Sequence, residues 1–220
     1  MKYLLAIAVF FIYGFAGNNL HYTLNTEEKA GILYMREEEK LARDVYEHLL
    51  EKYNSNPFGN IRHSEQNHMD RMEMLINNYQ LNDPVKKTND VRGKFVNSDL
   101  QKLYNDLIQK GEVSFTEALK VGAAVEEIDI ADLDKELAKT DKQDIINVYT
   151  ALKRASENHL NAFVGRLKMQ GVDYKPITLS QEDFDDIIAN DRRGGRMRQG
   201  GTLSRAGCCA KSNCGNRGTN

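Results

Sequence analysis

Apolar side chains recur with a period close to 3.6 residues in four long segments of this chain, which is the pattern of amphipathic helices. The four predicted helices cover, in order, about residues 27–54, 60–79, 115–138 and 141–170. Thr26 is a suitable N-cap for the first helix, and residues 114–117 form a capping box before the third. Short polar loops separate the first from the second helix and the third from the fourth.

A longer connection, residues 85–97, separates the second helix from the third. Ser98 then caps a short amphipathic helix that Gly111 ends. We interpret this segment as a crossover between two helical pairs. The pattern predicts an all-α chain, a four-helix bundle with a long crossover connection that carries a short helix. An irregular helical array without a bundle core is the alternative. Residues 180–190 predict one more short helix.

The two ends of the chain differ in composition from its middle. Lys2, an apolar run over residues 3–13 and small residues at 14–16 predict a signal peptide over residues 1–17. A single membrane anchor is the alternative, but the run is shorter than the ~20 residues that a spanning helix needs. We therefore expect an exported protein, periplasmic or secreted, with no stable membrane span after cleavage of the signal.

Residues 191–220 contain seven glycines and seven lysines or arginines against one acid, which predicts a disordered basic tail. The bundle itself is then expected over residues 24–190. All three cysteines, Cys208, Cys209 and Cys214, lie in the tail, and the sequence does not decide whether they are bridged. A formal net charge of −2 gives no reason to expect a nucleic-acid partner.

Ionisable residues interrupt the apolar stripes of the first two helices. In the first helix Glu38 shares the stripe of Leu41 and Val45, and Glu39 takes its place if the phase is off by one residue. In the second helix Glu65 and His68 lie three residues apart, one turn along the same face. Taken alone, such a histidine is more commonly a core residue that is hydrogen-bonded to its neighbour.

The third and fourth helices repeat this arrangement. Glu126 lies on the stripe of the third helix with Asp129 one turn later, and His159 is central on the stripe of the fourth. Buried carboxylates that converge from several helices are costly without cations between them. Oxygen and imidazole donors without thiolate suit iron or manganese, with zinc as a further option. The sequence therefore predicts a metal site.

Four ordered segments carry a resemblance to a known family: residues 35–46, 64–69, 122–130 and 158–160. Together they resemble a functionally uncharacterised, prokaryote-rich family placed in the ferritin-like superfamily, over roughly residues 27–170. The pattern of that superfamily is one Glu from each of two helices and Glu-x-x-His from the other two. The resemblance implies that Glu38 and Glu126 are the single acids and that Glu65 with His68 is the first pair.

The fourth helix departs from the superfamily pattern, because Ser156 stands three residues before His159 where the pattern has Glu. Either Asp129 supplies the missing carboxylate from the third helix, or the second metal position is weak or absent. Two histidines and a carboxylate can also hold a single metal with open positions.

The resemblance implies a di-iron site, with manganese or zinc as alternatives, that oxidises Fe(II) or reduces peroxide. Tyr34 and Tyr149 would be hydrogen-bond donors or electron relays near it, or core residues. No Cys-x-x-Cys pair is present, so an enzyme would need an external electron donor; a homodimer is one option for its assembly. The alternatives are a non-catalytic metal-sequestering protein, and a metal-free helical module whose basic tail binds an anionic surface.

Overall fold

Helices make up all the regular secondary structure of residues 23–199, the part of the chain that the computed structural model describes; side chains are described for residues 23–190. The seven helices are α1 (Thr26–Tyr53), α2 (Phe58–Asn78), α3 (Pro84–Lys87), α4 (Ser98–Gly111), α5 (Phe115–Leu137), α6 (Gln143–Met169) and α7 (Gln181–Gln199). The predicted all-α class and the short helix inside the crossover are confirmed.

Side-chain caps set where these helices begin. Asn25, and not Thr26 as the sequence predicts, caps α1: its side chain accepts the N–H of Glu28, whose carboxylate accepts the N–H of Asn25. Asn97 caps α4 in the same role that the sequence assigns to Ser98. Ser114 caps α5 as predicted, by accepting the N–H of the third helical residue.

Four long helices form the body of a helical bundle. α1 packs along α2 and α5 packs along α6, while α1 also contacts α5 and α2 also contacts α6. The crossover helices α3 and α4 pack on α1, and α7 packs on α6. The functional residues discussed below all come from the four long helices.

Two apolar clusters fill the bundle and leave a polar layer between them. The larger cluster includes Leu41, Val45 and Leu49 of α1, Phe58 and Ile61 of α2, and Leu160, Phe163 and Leu167 of α6. The smaller includes Ile32 and Met35 of α1, Met72, Leu75 and Ile76 of α2, and Ile145, Tyr149 and Leu152 of α6. On α1, α2 and α6 the charged residues of the sequence motifs fall between members of the two clusters, which places them at one level of the bundle.

The chain ends lie largely outside this description. α7 is longer than the helix predicted over residues 180–190 and extends into the segment predicted to be disordered. The predicted signal peptide at residues 1–17, the rest of the tail and its cysteines Cys208, Cys209 and Cys214 lie outside the described residues. Within the described residues, no helix combines the length and apolar character that crossing a membrane requires.

Candidate metal centre

Helix α2 supplies the middle of the polar layer. Glu65 and His68 are one helical turn apart on its inner face, and both are buried. Glu65 Oε2 lies 2.7 Å from His68 Nδ1. The spacing that the sequence shows therefore brings the two side chains into direct contact.

Helix α6 adds a second imidazole on the other oxygen of the same carboxylate. His159 Nδ1 lies 2.9 Å from Glu65 Oε1. The rings of His159 and His68 are stacked, with centroids 5.7 Å apart and planes inclined by 22°. Glu65 thus lies between two histidines from different helices, with one oxygen toward each.

Helices α1 and α5 each contribute one further carboxylate. Glu39 Oε2 lies 3.2 Å from His68 Nδ1, and Glu126 Oε2 lies 3.5 Å from His159 Nδ1. Two groups result, Glu39–Glu65–His68 and Glu65–Glu126–His159, and in each the three ligand atoms lie within 4.8 Å of one another. The two groups share Glu65, so they are adjacent.

Several buried atoms of this layer have no hydrogen-bond partner, although the described part of the chain surrounds them. They are both carboxylate oxygens of Glu38, Oε1 of Glu39 and Oδ1 of Asp129, whereas Oε1 of Glu65 and Nδ1 of His159 make only ion-pair contacts. Buried polar atoms are normally hydrogen-bonded. Cations placed between these atoms would satisfy them, so the residues present fit a metal centre.

Protonation of the two histidines follows from their carboxylate neighbours. Burial lowers the pKa of His68, but the charges and hydrogen bonds of Glu39 and Glu65 outweigh it and raise the pKa to about 11. In the same way burial is outweighed at His159, where Glu126 and Glu65 raise the pKa to about 10. For Glu65, burial opposes ionisation, but the two histidines lower the pKa to about 2. Without metal, two imidazolium ions thus flank one carboxylate.

The polar layer contains more acids than the imidazolium ions of His68 and His159 can balance. Burial raises the pKa of Glu39 to about 7, with partial compensation by His68. Burial also raises the pKa values of Glu38, Glu126 and Asp129, and neighbouring acids add to the rise for Glu38 and Asp129. These carboxyl groups resist ionisation because too few cations balance their charge. Bound metal ions would supply that balance and would stabilise the ionised site.

The predicted site residues fall into two sets. Glu65, His68, Glu126 and His159 are brought together in the two groups, whereas Glu38 and Asp129 belong to neither. Glu39, the alternative to Glu38 in the sequence, lies beside His68 instead. Both glutamates are buried because α1 packs against α2 on one side and α5 on the other.

Ser156, which stands where the superfamily pattern has Glu, contacts Asp129. Its hydroxyl donates a bifurcated hydrogen bond to Asp129 Oδ2 and to the carbonyl of Leu152, 3.1 Å away. Both side chains are buried. The serine therefore positions an acid from the neighbouring helix at this level of the bundle.

Sequence reasoning missed Tyr46, whose hydroxyl donates a hydrogen bond to Glu126 Oε1 at 2.5 Å. Tyr46 is fully buried, and a buried tyrosine hydroxyl on an apolar stripe needs a partner, which is the signal that could have found it. Of the two tyrosines that the sequence singles out, Tyr34 donates to Asp132 at 3.1 Å. Tyr149 lies in the smaller apolar cluster.

Comparison with known proteins places this chain in a family. Residues 28–191, which include every residue of both groups, match the uncharacterized protein domain DUF2202. The chain is 46% identical over 175 residues to the uncharacterized protein MJ0754 of Methanocaldococcus jannaschii, with 80% of this chain and 94% of that protein covered. The crystal structure of hypothetical protein MJ0754 from Methanococcus jannaschii matches with a TM-score of 0.73 at 48% identity, over 76% of this chain and 94% of that one. The chain belongs to the DUF2202 family.

Proposed function

We propose that this protein is a ferritin-like bundle that binds two divalent metal ions, iron or manganese, on either side of Glu65. One ion would be held by Glu39, Glu65 and His68, and the other by Glu65, Glu126 and His159. The observation that carries the proposal is the sharing of one buried carboxylate by two histidine–carboxylate groups. A carboxylate with one oxygen toward each ion is suited to bridging two cations.

The helix assignment supports the ferritin-like part of the proposal. α1 and α5 each supply one acid, α2 supplies Glu-x-x-His, α6 supplies a histidine, and the long connection joins the second long helix to the third. Each group contains three protein residues, and Ser156 supplies no carboxylate to either. Open coordination positions are what a metal needs in order to bind oxygen or peroxide.

We propose Fe(II) oxidation or peroxide reduction as the reaction, with electrons from an external donor in the second case. Bound iron or manganese would supply the redox chemistry. The residues of the chain hold and orient the ligands: Tyr46 fixes Glu126 by its hydrogen bond, and the stacked imidazoles of His68 and His159 keep both groups at one level. The apolar clusters on both sides limit the access of water.

We further propose that the protein acts outside the cytoplasm. The support for this is the sequence of residues 1–17, with its basic start, apolar run and small residues at the cleavage position. A processed N-terminus found by mass spectrometry of the protein from its native host would support export; an intact Met1 would contradict it.

The direct ion pairs of Glu65 favour a second candidate, a metal-free polar network. Glu65 approaches both histidines at 2.7 Å and 2.9 Å, distances that need no metal between the atoms. In this case the centre would be a structural element that links α2 to α6. It leaves the unpartnered oxygens of Glu38, Glu39 and Asp129 without a role.

Metal content separates the two candidates. The full chain, purified without chelator after loading with Fe(II) or Mn(II), is passed through gel filtration and analysed for metal by elemental analysis. We expect two retained ions per chain, and none or one in Glu65→Gln. His68→Gln is compared with His63→Gln, because His63 is exposed on the same helix. Loss of metal in His68→Gln but not in His63→Gln supports the proposal. A wild-type chain that retains no metal contradicts it and leaves the metal-free network as the remaining candidate.

A further inference from the structure

Two buried acids of the polar layer belong to neither ligand group. Glu38 on α1 is 3% exposed, neither of its oxygens has a basic or N–H partner among the described residues, and the hydrogen-bonding neighbour that bears on its pKa is another acid, Asp132. Asp129 on α5 is 5% exposed, and its Oδ1 is also without a donor. Its Oδ2 accepts only the neutral hydroxyl of Ser156, which does not balance a negative charge. Unpartnered carboxylate oxygens at this depth indicate that something else binds them.

The two acids face each other between α1 and α5. Among the neighbouring charged groups, Asp129 raises the pKa of Glu38 most, followed by Asp132. Tyr34, one turn before Glu38, donates to Asp132, one turn after Asp129. The antiparallel helices thus form successive pairs, Tyr34 with Asp132 and then Glu38 with Asp129.

This pair of acids has a partly exposed acid, Asp132, on one side and Glu39, a member of one ligand group, on the other. On the outer side, the side chain of Asp132 is 17% exposed, and its Oδ1 forms an ion pair with Lys135, which is largely exposed, at 2.6 Å. On the inner side, Glu39 is the neighbouring charged group that raises the pKa of Asp129 most. A cation that enters from Asp132 would meet Glu38 and Asp129 before it reaches Glu39.

We propose that Glu38 and Asp129 bind a third hard divalent cation, such as Fe(II) or Mn(II), between Asp132 and the two-ion centre. The inference deepens the proposed function, on which it rests for the kind of ion. Two carboxylates supply fewer protein oxygens than a small hard cation requires, so water completes the coordination. The third ion therefore binds more weakly than the other two and exchanges with solvent, as an ion on its way to or from the centre must.

The test is a titration of the full, reduced chain with Mn(II), in which the free aqua ion is counted by electron paramagnetic resonance. Mn(II) prefers oxygen and imidazole ligands, so the thiols of the tail add little to the count. We expect three ions per chain for the wild type, the third more weakly held. Glu38→Gln and Asp129→Asn should each bind two ions with unchanged affinity. Glu157→Gln, a change at an acid of α6 outside the layer, should retain all three.

Other counts overturn the inference or the proposed function separately. Two ions in the wild type and the same two in Glu38→Gln would remove the third position and leave the two-ion centre intact. Loss of every ion in Glu38→Gln, in a chain with an unchanged circular dichroism spectrum, would make Glu38 a ligand of the centre and also overturn the inference. One ion that Glu38→Gln abolishes and Glu65→Gln retains would support the outer position and contradict the two-ion centre. If Glu38→Gln does not fold, Asp129→Asn provides the same comparison.

Discussion

Helix α1 buries charged side chains on two sides, and the two sides differ in whether the protein itself satisfies them. On the side of the crossover, Glu37 accepts the N–H groups of Val96 at 2.5 Å and Asn97 at 3.0 Å. Lys40 is paired with Asp44 and donates to the carbonyl of Val91 at 2.9 Å. On the bundle side, one residue further along the chain, Glu38 has no basic or N–H partner among the described residues, and its charged neighbours include the acids Asp129, Asp132 and Glu39.

Asp44 shows how complete the crossover side is. Its Oδ2 accepts from Lys40 and from the N–H of Gly93 at 2.9 Å, and its Oδ1 accepts from Arg43 at 2.8 Å. Both sides of α1 thus bury charged groups. Only on the crossover side does the protein itself pair each of the charged groups named above, so we call this side the closed side and the bundle side the open side. A buried charge alone does not mark a functional site; a buried charge that the chain leaves without a partner does.

The largest effect is expected from opening the closed side. Asp44→Ala removes the anion between two buried cations, Lys40 and Arg43, and the loss of one partner from a buried pair lowers the free energy of unfolding by about 3–5 kcal/mol. Urea unfolding of the metal-free protein measures it. The control is Asp106→Ala, which breaks an exposed i,i+4 pair with Lys102 and should change stability by at most about 0.5 kcal/mol. Equal effects of the two changes would contradict the distinction.

The open side should respond to pH through its ligands. His68 and His159 have raised pKa values, about 11 and 10, so both are protonated at neutral pH in the metal-free protein. Metal binds only the neutral ring, so each ion displaces one proton from its histidine, and below about pH 7 the ion of the Glu39 group also displaces a proton from Glu39, whose pKa is about 7. Affinity for each ion should rise about tenfold per pH unit between about pH 7 and 8, and that of the Glu39 group should rise more steeply below pH 7. Titrations with Mn(II) at several pH values measure this slope, and affinity that is independent of pH would contradict ligation by the histidines.

A smaller change should affect one ion and spare the other. Tyr46→Phe removes the hydrogen bond to Glu126 and leaves the ring in place, so the affinity of the group that contains Glu126 should fall about tenfold. The group that contains Glu39 should keep its affinity. Tyr149→Phe, at a buried tyrosine of the smaller apolar cluster, is the matched control. Equal weakening of both ions would assign Tyr46 a general packing role instead.

The smallest expected effect is on the free energy of unfolding, which should change in opposite directions when the neighbouring residues Glu38 and Glu37 are replaced. With chelator present, Glu38→Met should raise the free energy of unfolding by about 1 kcal/mol, because it replaces a buried, unpartnered acid with an apolar chain of similar volume. Glu37→Met should lower it, because two backbone N–H groups lose their acceptor. Thermal unfolding of both variants provides the comparison. Destabilisation of the same size by both would show that Glu38 has a protein partner.

Helical spacing was enough to predict which residues of the candidate centre face the interior of the bundle. Glu65 and His68 are three residues apart on an apolar stripe, and His159 is central on another, so periodicity alone places them inside. The choice between Glu38 and Glu39 could not be made in this way. The two residues are about 100° apart on the helix, and which one meets His68 depends on how α1 packs between α2, α5 and the crossover.

Contacts that join distant parts of the sequence could not be predicted from the sequence either. Tyr46 meets Glu126 across 80 residues of chain, and Ser156 meets Asp129 across 27. The sequence shows that these residues are suited to burial, but only the packing of α1 and α6 on α5 decides which partner each one finds. The fold class was more accessible, because amphipathic periodicity and caps such as Ser114 are local features.

The most direct test of the central claim is a crystal structure of the Mn(II)-loaded full chain with anomalous diffraction data collected at the manganese edge. The account predicts two anomalous peaks on either side of Glu65, one within ligand distance of His68 and Glu39 and the other within ligand distance of His159 and Glu126. The absence of both peaks, with Glu65 still in direct contact with the two histidines, would contradict a two-metal centre.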